Sequence, residues 1–220
     1  MKVFVIDTSM ERGATGIAID GSVAAERIFD IRRGSTSTVH SYIREVFDEA
    51  RIKPGDVNLI GFIEGPGSFT GLRVALSAAK GLAHPFNTPI TGIHSTLAIA
   101  NMIKNPGTIV PIIDARRGQF YRAVYRRDNN KLDTIEIPST LDRAKVVSGI
   151  PDDAIITGPG ISKLDKNLRK KFTLAGKQLL FPDTGCISEL TLQNYNSGIL
   201  LDIENSTPCY LREPDAKKPK

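Results

Sequence analysis

Two aspartates occupy matching positions in the sequence, each at the end of an apolar run and in front of a polar turn. Asp7 ends the run VFVID, and Asp114 ends the run VPIID. A pair of carboxylates can bind a metal ion or orient a water molecule. Each can equally cap the turn that follows it, because aspartate side chains accept hydrogen bonds from nearby backbone N–H groups. The residue types leave both interpretations open.

A glycine-rich stretch, GPGSFTGLR, begins at Gly65 after an apolar run. It lacks the lysine of the Walker loop, and Gly71 comes one residue too late for the GxGxxG pattern of dinucleotide-binding proteins. The backbone N–H groups at the start of the following helix can still bind an anion such as phosphate. The alternative is a tight strand-to-helix turn that Ser68 or Thr70 caps. The residues predicted to lie at or near an anion or nucleotide are Asp7, Thr8, Ser9, Gly65, Gly67, Ser68, Phe69, Thr70, Gly71 and Arg73.

The groups that most enzymes use for catalysis are sparse. The histidines His40, His84 and His94 form no metal-binding pair with a cysteine, a carboxylate or another histidine at helical spacing. The sequence contains neither GxSxG nor HExxH. Cys186 and Cys209 stand outside any CxxC spacing. The sequence therefore predicts no catalytic residues and no metal site.

The composition predicts an ordinary globular protein of the cytoplasm. The 220 residues are 40% hydrophobic and 24% charged, and the lack of tryptophan disfavours an aromatic platform for single-stranded nucleic acid. Lys217, Lys218 and Lys220 supply three of the five net positive charges, so the rest of the chain is too weakly basic to bind nucleic acid by itself. The start, MKVFVIDTS, predicts a strand and not a signal peptide, and no run reaches the ~18 apolar residues of a membrane span.

The sequence contains an internal repeat. The hairpin predicted over residues 3–20 has the same plan as VPIIDARRGQFYRAVY from Val110, with an aspartate ending the first strand and glycine in the turn. Each hairpin is followed by another predicted strand and then by Gly-Pro-Gly, at Gly65 and at Gly158. This duplication predicts an α/β protein with two similar subdomains around a cleft, as in the actin-like (ribonuclease-H-like) fold. We expect subdomains at 1–106 and 107–207 and a tail at 208–220.

Two helices are predicted between the strands of the first half. Apolar residues recur at helical spacing from Val39 to Ala50, with N-cap hydroxyls in Ser35 to Thr38 and a stop at Pro54. The helix after the glycine-rich stretch is apolar nearly all round. Its polar line consists only of Arg73, Ser77 and Lys80. Such a helix must be covered on most sides, either within its own domain or by another protein.

The chain resembles the TsaB (YeaZ) family over nearly its whole length. The resemblance is carried by VIDTS near the start, GPGSFTGLRVALSAAKGLA, IIDARRGQFY in the second half and YLREPDAKK near the end. It implies the actin-like fold and a role in bacterial synthesis of threonylcarbamoyladenosine in tRNA. It further implies that the transfer step belongs to the metal-binding paralogue TsaD, that TsaB pairs with TsaD through its first two helices, and that the ATPase TsaE joins them. TsaB itself is a degenerate, non-catalytic member.

The resemblance also implies where the partner binds. The two helices correspond to Ser37 to Ile52 and Gly71 to His84. The interface residues predicted on them are Tyr42, Val46, Leu72, Ala75, Leu76, Ala79 and Leu82. Without TsaD, the same apolar surface is predicted to form a homodimer.

The resemblance sets expectations for bound groups as well. The two metal-binding histidines of TsaD align with Ser95 and Ile99, neither of which can replace an imidazole ligand. No cofactor is expected on the chain alone. ATP or ADP is expected only at a surface shared with TsaD, and tRNA is reached through the complex.

Two other functions remain open from the residues. An independent actin-like ATPase or phosphotransferase would use Asp7 and Asp114 around a metal ion and the two Gly-Pro-Gly loops on phosphates. A peptidase has less support, since no nucleophile–base pair or metal pair is visible in the sequence. A non-catalytic subunit explains the missing catalytic groups and the apolar helix together, and it is therefore the predicted function.

Overall fold

The computed structural model describes residues 1–31, 38–129 and 131–212, which form two five-stranded sheets. The strands of the first sheet are β1 (Lys2–Asp7), β2 (Arg12–Ile19), β3 (Ser22–Asp30), β4 (Leu59–Gly65) and β5 (Ile90–His94). Those of the second are β6 (Gly107–Arg116), β7 (Gln119–Asp128), β8 (Lys131–Asp142), β9 (Ile155–Thr157) and β10 (Thr173–Leu174). The helices are α1 (Val39–Ala50), α2 (Phe69–Ala83), α3 (Ser95–Asn101), α4 (Lys166–Lys171) and α5 (Thr184–Asn196).

The two sheets share one topology. The first has the strand order β3-β2-β1-β4-β5, and the second has the matching order β8-β7-β6-β9-β10. In each sheet the first three strands in the chain are antiparallel, and the other two extend the sheet in parallel. This confirms the predicted duplication and the α/β, actin-like fold class with two similar subdomains.

Helices cover both faces of the first sheet. Because side chains alternate along a strand, Phe4 and Ile6 of β1 join the core under α1 and α2. Val3 and Val5 join the core on the opposite face, under α3 and α5. Burial on both faces explains why β1 is a continuous apolar run and does not alternate with polar residues.

The second sheet is covered differently on its two faces. One face packs on α3, where Ala100 contacts a cluster that includes Ile109 and Tyr125. The other face is covered by turns and short helical segments, which contribute Val146 and Ile161 to the core. The helical cover of this half is therefore thinner than that of the first half.

α1 is present on the predicted face, but the reason for its end is not the predicted one. Val39, Ile43, Val46 and Phe47 are its buried residues, as the spacing predicts. The helix ends at Ala50 because Arg51 takes a left-handed backbone conformation, with φ of 54°, before Pro54 is reached. Thr38 is the N-cap residue, while the other predicted cap residues, 35–37, lie outside the described part of the chain.

α2 begins at Phe69, two residues before the predicted start at Gly71. Ser68 is its N-cap, and the Ser68 Oγ accepts a hydrogen bond from the backbone N–H of Gly71. Of the two cap residues that the sequence left open, Ser68 is therefore the one used.

α5 lies on the first sheet although it comes late in the chain. It packs against β1, β2, β4 and β5. Its close approach depends on two strand glycines. A Cβ on Gly16 would lie 2.4 Å from Thr184 Oγ1, and a Cβ on Gly61 would lie 1.9 Å from Thr191 Oγ1. The division of the chain at residues 106 and 207 stays a prediction. No helix within the described residues is long and apolar enough to cross a membrane.

Candidate functional site

A cleft of about 510 Å³ lies between the two halves. The β1–β2 turn contributes Ser9 to its wall, and the glycine-rich loop contributes Ser68. The end of β6 contributes Asp114 and Arg116 from the second half, and Arg212 reaches the cleft from the end of the described chain. The same ends of both hairpins therefore face the cleft.

The glycines of the loop let it touch the β1–β2 turn. A Cβ on Gly67 would lie 2.6 Å from the carbonyl oxygen of Ser9, and a Cβ on Gly71 would lie 1.8 Å from the carbonyl oxygen of Thr8. Hydrogen bonds fix this contact, because Ser68 N donates to Ser9 O (2.7 Å) and Thr8 Oγ1 donates to Gly71 O (2.6 Å). The spacing of these two glycines is thus explained by the packing of two backbones.

Part of the N-terminal turn of α2 is already used inside the protein. The N–H of Ser68 binds the Ser9 carbonyl, and the N–H groups of Gly71 and Leu72 bind Ser68 itself. Within the described residues, the backbone N–H groups of Phe69 and Thr70, in the first turn of α2, donate to no other group of the chain. The predicted anion site stays a prediction, with these two backbone donors at its centre.

Asp7 is buried behind the β1–β2 turn and does not line the cleft. It is 1% exposed, and its Oδ1 accepts a hydrogen bond from Ser9 N at 2.7 Å. Burial raises the pKa of the Asp7 carboxyl from 3.8 to about 6, while hydrogen bonding to Ser9 opposes the rise. Asp7 thus fixes the turn that carries Ser9. The Ser9 Oγ itself is buried and has no hydrogen-bond partner in the described structure.

Asp114 makes the same turn contact but reaches the cleft. Its Oδ1 accepts a hydrogen bond from Arg116 N at 2.8 Å, and the carboxylate is half-buried. Arg116 and Arg212 line the cleft as well, and neither belongs to the predicted site. The repeat points to Arg116, because it stands two residues after Asp114, where Ser9 stands after Asp7. No local pattern identifies Arg212.

The two positions that the resemblance aligns with the metal ligands of TsaD, Ser95 and Ile99, make structural contacts. Ser95 and Ile99 are fully buried. The Ser95 Oγ donates to the carbonyl oxygen of Pro66 (2.6 Å), and Ile99 belongs to an apolar cluster between the halves. Over the described ranges, no three His, Cys, Asp or Glu side chains are grouped so that they could hold a metal ion.

Most of the predicted partner residues belong to the core of the chain itself. Tyr42 and Leu82 are half-buried, and both pack against the first core. The other five are between 0% and 7% exposed, namely Val46, Leu72, Ala75, Leu76 and Ala79. Their predicted contact with a partner stays a prediction. A partner that binds these helices contacts the more exposed residues beside them.

The exposed line of α2 consists of Arg73, Ser77 and Gly81, which follow each other at four-residue spacing. Gly81 completes this line in place of the predicted Lys80, whose Nζ donates to the carbonyl oxygen of Glu204 at 3.2 Å. Half-buried Val74 and Ala78 flank the line. Because Ser77, Ala78 and Gly81 are small, the backbone of another helix can come close to this part of α2. The sequence predicts Arg73 and Ser77 on the polar line of α2, whereas the exposed residue at the end of that line is Gly81.

Comparisons with known proteins find relatives named for the synthesis of threonylcarbamoyladenosine in tRNA. A family model described as TsaD, tRNA N6-adenosine threonylcarbamoyltransferase, matches residues 30–199, which is most of the chain. The protein of Escherichia coli K12 named tRNA threonylcarbamoyladenosine biosynthesis protein TsaB is 26% identical over 227 residues, covering 99% of this chain and 97% of that protein. The Bacillus subtilis 168 protein of the same name is 33% identical over 137 residues, covering 61% of this chain and 59% of that protein.

Solved structures agree with these sequence relationships. YeaZ from Pseudomonas aeruginosa superimposes with a TM-score of 0.81 at 21% identity, covering 96% of this chain and 99% of that chain. Component A of (R)-2-hydroxyglutaryl-CoA dehydratase from Acidaminococcus fermentans superimposes with a TM-score of 0.50 at 12% identity, covering 90% and 98%. These two likenesses concern the fold. Together with the family model and the full-length relative, they lead to the conclusion that the chain belongs to the TsaB (YeaZ) family of tRNA threonylcarbamoyladenosine biosynthesis proteins.

Proposed function

We propose that this chain is a non-catalytic subunit that binds TsaD and activates it for threonylcarbamoyl transfer to adenosine in tRNA, with TsaE joining the pair. The family model and the names of the relatives support a role in synthesis of this tRNA modification. In this proposal the chain meets tRNA through the complex. The weak net charge of the chain outside its three C-terminal lysines agrees with that division of work.

The proposal rests on which residues occupy the two positions that the resemblance aligns with the metal-binding histidines of TsaD. A serine that donates to a backbone carbonyl and a buried isoleucine supply no ligand to a metal ion, and these are Ser95 and Ile99. Asp7, the most conspicuous carboxylate of the sequence, is buried under the β1–β2 turn and bonded there. In this proposal the chain keeps the fold of the transferase TsaD, while Ser95 and Ile99 stabilise the fold at the positions of the metal-binding histidines.

The surface of α1 and α2 supports the choice of partner. Arg73, Ser77 and Gly81 form an exposed line of mostly small residues, with half-buried Val74 and Ala78 beside it. A sister protein of the same fold can lay its own helices against such a line at short interaxial distance. When TsaD is absent, a second copy of this chain occupies the same surface.

ATP or ADP, in this proposal, binds only where TsaD completes the site. Three of the first backbone N–H groups near the start of α2, those of Ser68, Gly71 and Leu72, are bonded within the chain. The isolated chain then offers a phosphate too few donors for tight binding. Titration of the isolated chain with ATP and with ADP tests this, and submicromolar binding contradicts it.

Reconstitution is the direct test of the proposed function. TsaD, TsaE, tRNA and the activated threonylcarbamoyl donor are incubated with and without this chain, and modified adenosine is quantified by mass spectrometry. We expect modification only when the chain is present, and Asp7→Asn and Asp114→Asn should retain it. Equal modification without the chain rejects the proposal.

One observation favours an independent ATPase as the second candidate. The cleft between the halves is lined by Asp114, Arg116 and the residues at the start of α2. An ATPase would turn over ATP in the absence of TsaD, and Asp114→Asn would abolish that turnover. This pair of results would replace the subunit proposal, whereas no turnover by the wild-type chain rejects the ATPase.

A further inference from the structure

The last described residues cross from the first half of the molecule to the second. The segment Cys209–Arg212, which we call the strap, begins on the first half, where Cys209 N donates to the carbonyl oxygen of Glu64 at 2.8 Å. It ends on the second half, where Thr140 Oγ1 donates to Leu211 O at 3.2 Å and Arg212 Nη1 donates to Ala115 O at 2.8 Å. Four consecutive residues therefore join β4 to β8 and β6.

Tyr210 anchors the strap on α2. Its ring stacks on Phe69 with the centroids 4.4 Å apart, and its hydroxyl accepts a hydrogen bond from Arg73 Nε at 2.9 Å. The Arg73 guanidinium lies 5.5 Å and 5.6 Å from the centroids of the Phe69 and Tyr210 rings. A stacked pair with a cation over its rings is more stable than either contact alone.

Gly65 makes room for the strap on the first half. A Cβ on Gly65 would lie 2.4 Å from the carbonyl oxygen of Cys209, and the glycine has a φ of +131° that other residues rarely adopt. The first glycine of the GPGSFTG stretch is thus explained by the strap, just as Gly67 and Gly71 are explained by the β1–β2 turn.

The second anchor of the strap lies in an apolar cluster between the halves. Leu211 packs there with Met10, which follows the first strand, and with Ile113 and Tyr121 of the second sheet. Arg212, the next residue, lines the cleft. The strap therefore borders the cleft and touches both of its walls.

A separate set of contacts joins the halves through α3. Thr96 Oγ1 and the Tyr125 hydroxyl lie 3.0 Å apart, and Arg127 Nη2 donates to Asn101 Oδ1 at 2.9 Å. These contacts lie within the buried interior, where α3 packs on β6 and β7. The molecule thus has a buried junction at α3 and a second junction at the strap.

We propose that the strap sets how far the cleft opens, with the α3 contacts acting as the pivot. The anchor at Tyr210 holds one wall, and the anchors at Leu211 and Arg212 hold the other. Loosening either anchor lets the walls separate while both sheets stay folded. The inference concerns the isolated chain and does not depend on the proposed binding of TsaD.

Hydrogen exchange followed by mass spectrometry tests the strap on the whole chain. In Tyr210→Ala the ring contacts on α2 are lost, and we expect residues 113–116 of the opposite wall to exchange at least about fivefold faster. That wall is the informative readout, because the ring and hydroxyl of Tyr210 contact Phe69 and Arg73. Faster exchange confined to residues 69–73 and 209–212 overturns the proposal.

Two further variants provide a control and an independent test of the strap. Tyr195→Ala removes another exposed tyrosine, from α5, and should leave exchange at residues 113–116 unchanged. Thr140→Val removes the donor to Leu211 on the second half, and it should speed exchange at residues 71–74 of the first half, whose N–H groups are hydrogen-bonded. If Tyr210→Ala does not fold, the Thr140→Val variant decides, and unchanged exchange at residues 71–74 overturns the proposal.

Discussion

The two halves share a sheet but differ in the helices laid over it. After β3 the chain forms α1, whereas after β8 it makes turns over residues 143–149. After β4 it forms the 15-residue α2, whereas after β9 it forms a short 3-10 segment and the six-residue α4. The strand plan is thus retained in both halves, and the long helices on this face are retained in the first.

This difference indicates what each half is used for. In the second half, turns and short helical segments suffice to cover the core formed by residues such as Val110, Ile112 and Phe120. In the first half, two long helices cover the core and also leave an exposed line on α2. Under the proposed function, that line is the surface on which TsaD binds.

The largest expected effect comes from glycines in the segments that follow β4 in the first half and β9 in the second. In Gly71→Ala the new Cβ would lie 1.8 Å from the Thr8 carbonyl oxygen, so we expect stability to fall by about 3 kcal/mol or more. In Gly160→Ala the Cβ would lie 2.7 Å from the Ile112 carbonyl oxygen, and a smaller loss of roughly 1–3 kcal/mol is expected. Urea denaturation followed by circular dichroism measures both.

Gly81→Ala is the matched control, because a Cβ on this α2 glycine meets nothing within 4 Å. It should stabilise the chain by about 0.5–1 kcal/mol through helix propensity. If Gly71→Ala proved as harmless as Gly81→Ala, the close contact between the loop and the β1–β2 turn would not be needed.

The next effect distinguishes a buried arginine in the second half, Arg122, from the half-buried Arg27 in the first. Arg122 is 7% exposed and donates to the carbonyl oxygens of Val146 and Ser148 as well as to Glu136. Arg122→Ala leaves the buried Val146 carbonyl without this donor, so we expect a loss of about 2–3 kcal/mol. Arg27→Ala breaks ion pairs with two exposed glutamates of α1 and should leave the urea midpoint nearly unchanged. Equal midpoints for the two variants would contradict this account.

The smallest expected effect on stability concerns Asp7 and Asp114, the aspartates at matching positions of the repeat. Because burial raises the pKa of Asp7 from 3.8 to about 6, the folded state binds a proton that the unfolded state has released between these values. The contribution of Asp7 to stability is therefore highest below about pH 4 and is lost as the pH rises to about 6. Asp7→Asn should flatten this decline and raise stability at pH 7 by roughly 1 kcal/mol.

The half-exposed Asp114 supplies the control for this prediction. Asp114→Asn should change stability at pH 7 by less than about 0.5 kcal/mol, because its carboxylate is partly solvated. Denaturation curves between pH 4 and pH 7 test both variants. An undiminished decline in Asp7→Asn would mean that another group causes it.

The sequence predicted those parts of the fold that local patterns determine. The hairpins, the buried face of α1 and the duplicated strand plan follow from the spacing of apolar residues and from repeated Asp and Gly positions. The placement of α5 was not predictable, because its contact with Gly16 and Gly61 joins residues more than a hundred positions apart. Its amphipathic pattern is weakened by the buried Thr184 and Thr191, which read as polar in the sequence.

The cleft was only partly predictable for the same reason. The turn residues near Asp7 and Asp114 follow from the repeat. Arg212 lines the cleft, and Tyr210 stacks on Phe69 of its wall, only because of the path of the chain after α5. The glycine-rich stretch resembled an anion loop because glycines suit both phosphate and backbone contact. Only the structure gives the distances to Thr8 and Ser9 that explain those glycines by packing.

The most direct test of the account is whether the exposed line of α2 binds TsaD. Sedimentation velocity of the chain mixed with TsaD should show a stable complex for the wild type, and Ser77→Arg should weaken it at least about 100-fold by placing a charge in a close helix contact. Gln193→Arg, which adds the same charge on the exposed part of α5, should bind like the wild type. Undiminished binding by Ser77→Arg, or no complex with the wild type, would contradict the claim that this chain serves TsaD through its helical surface.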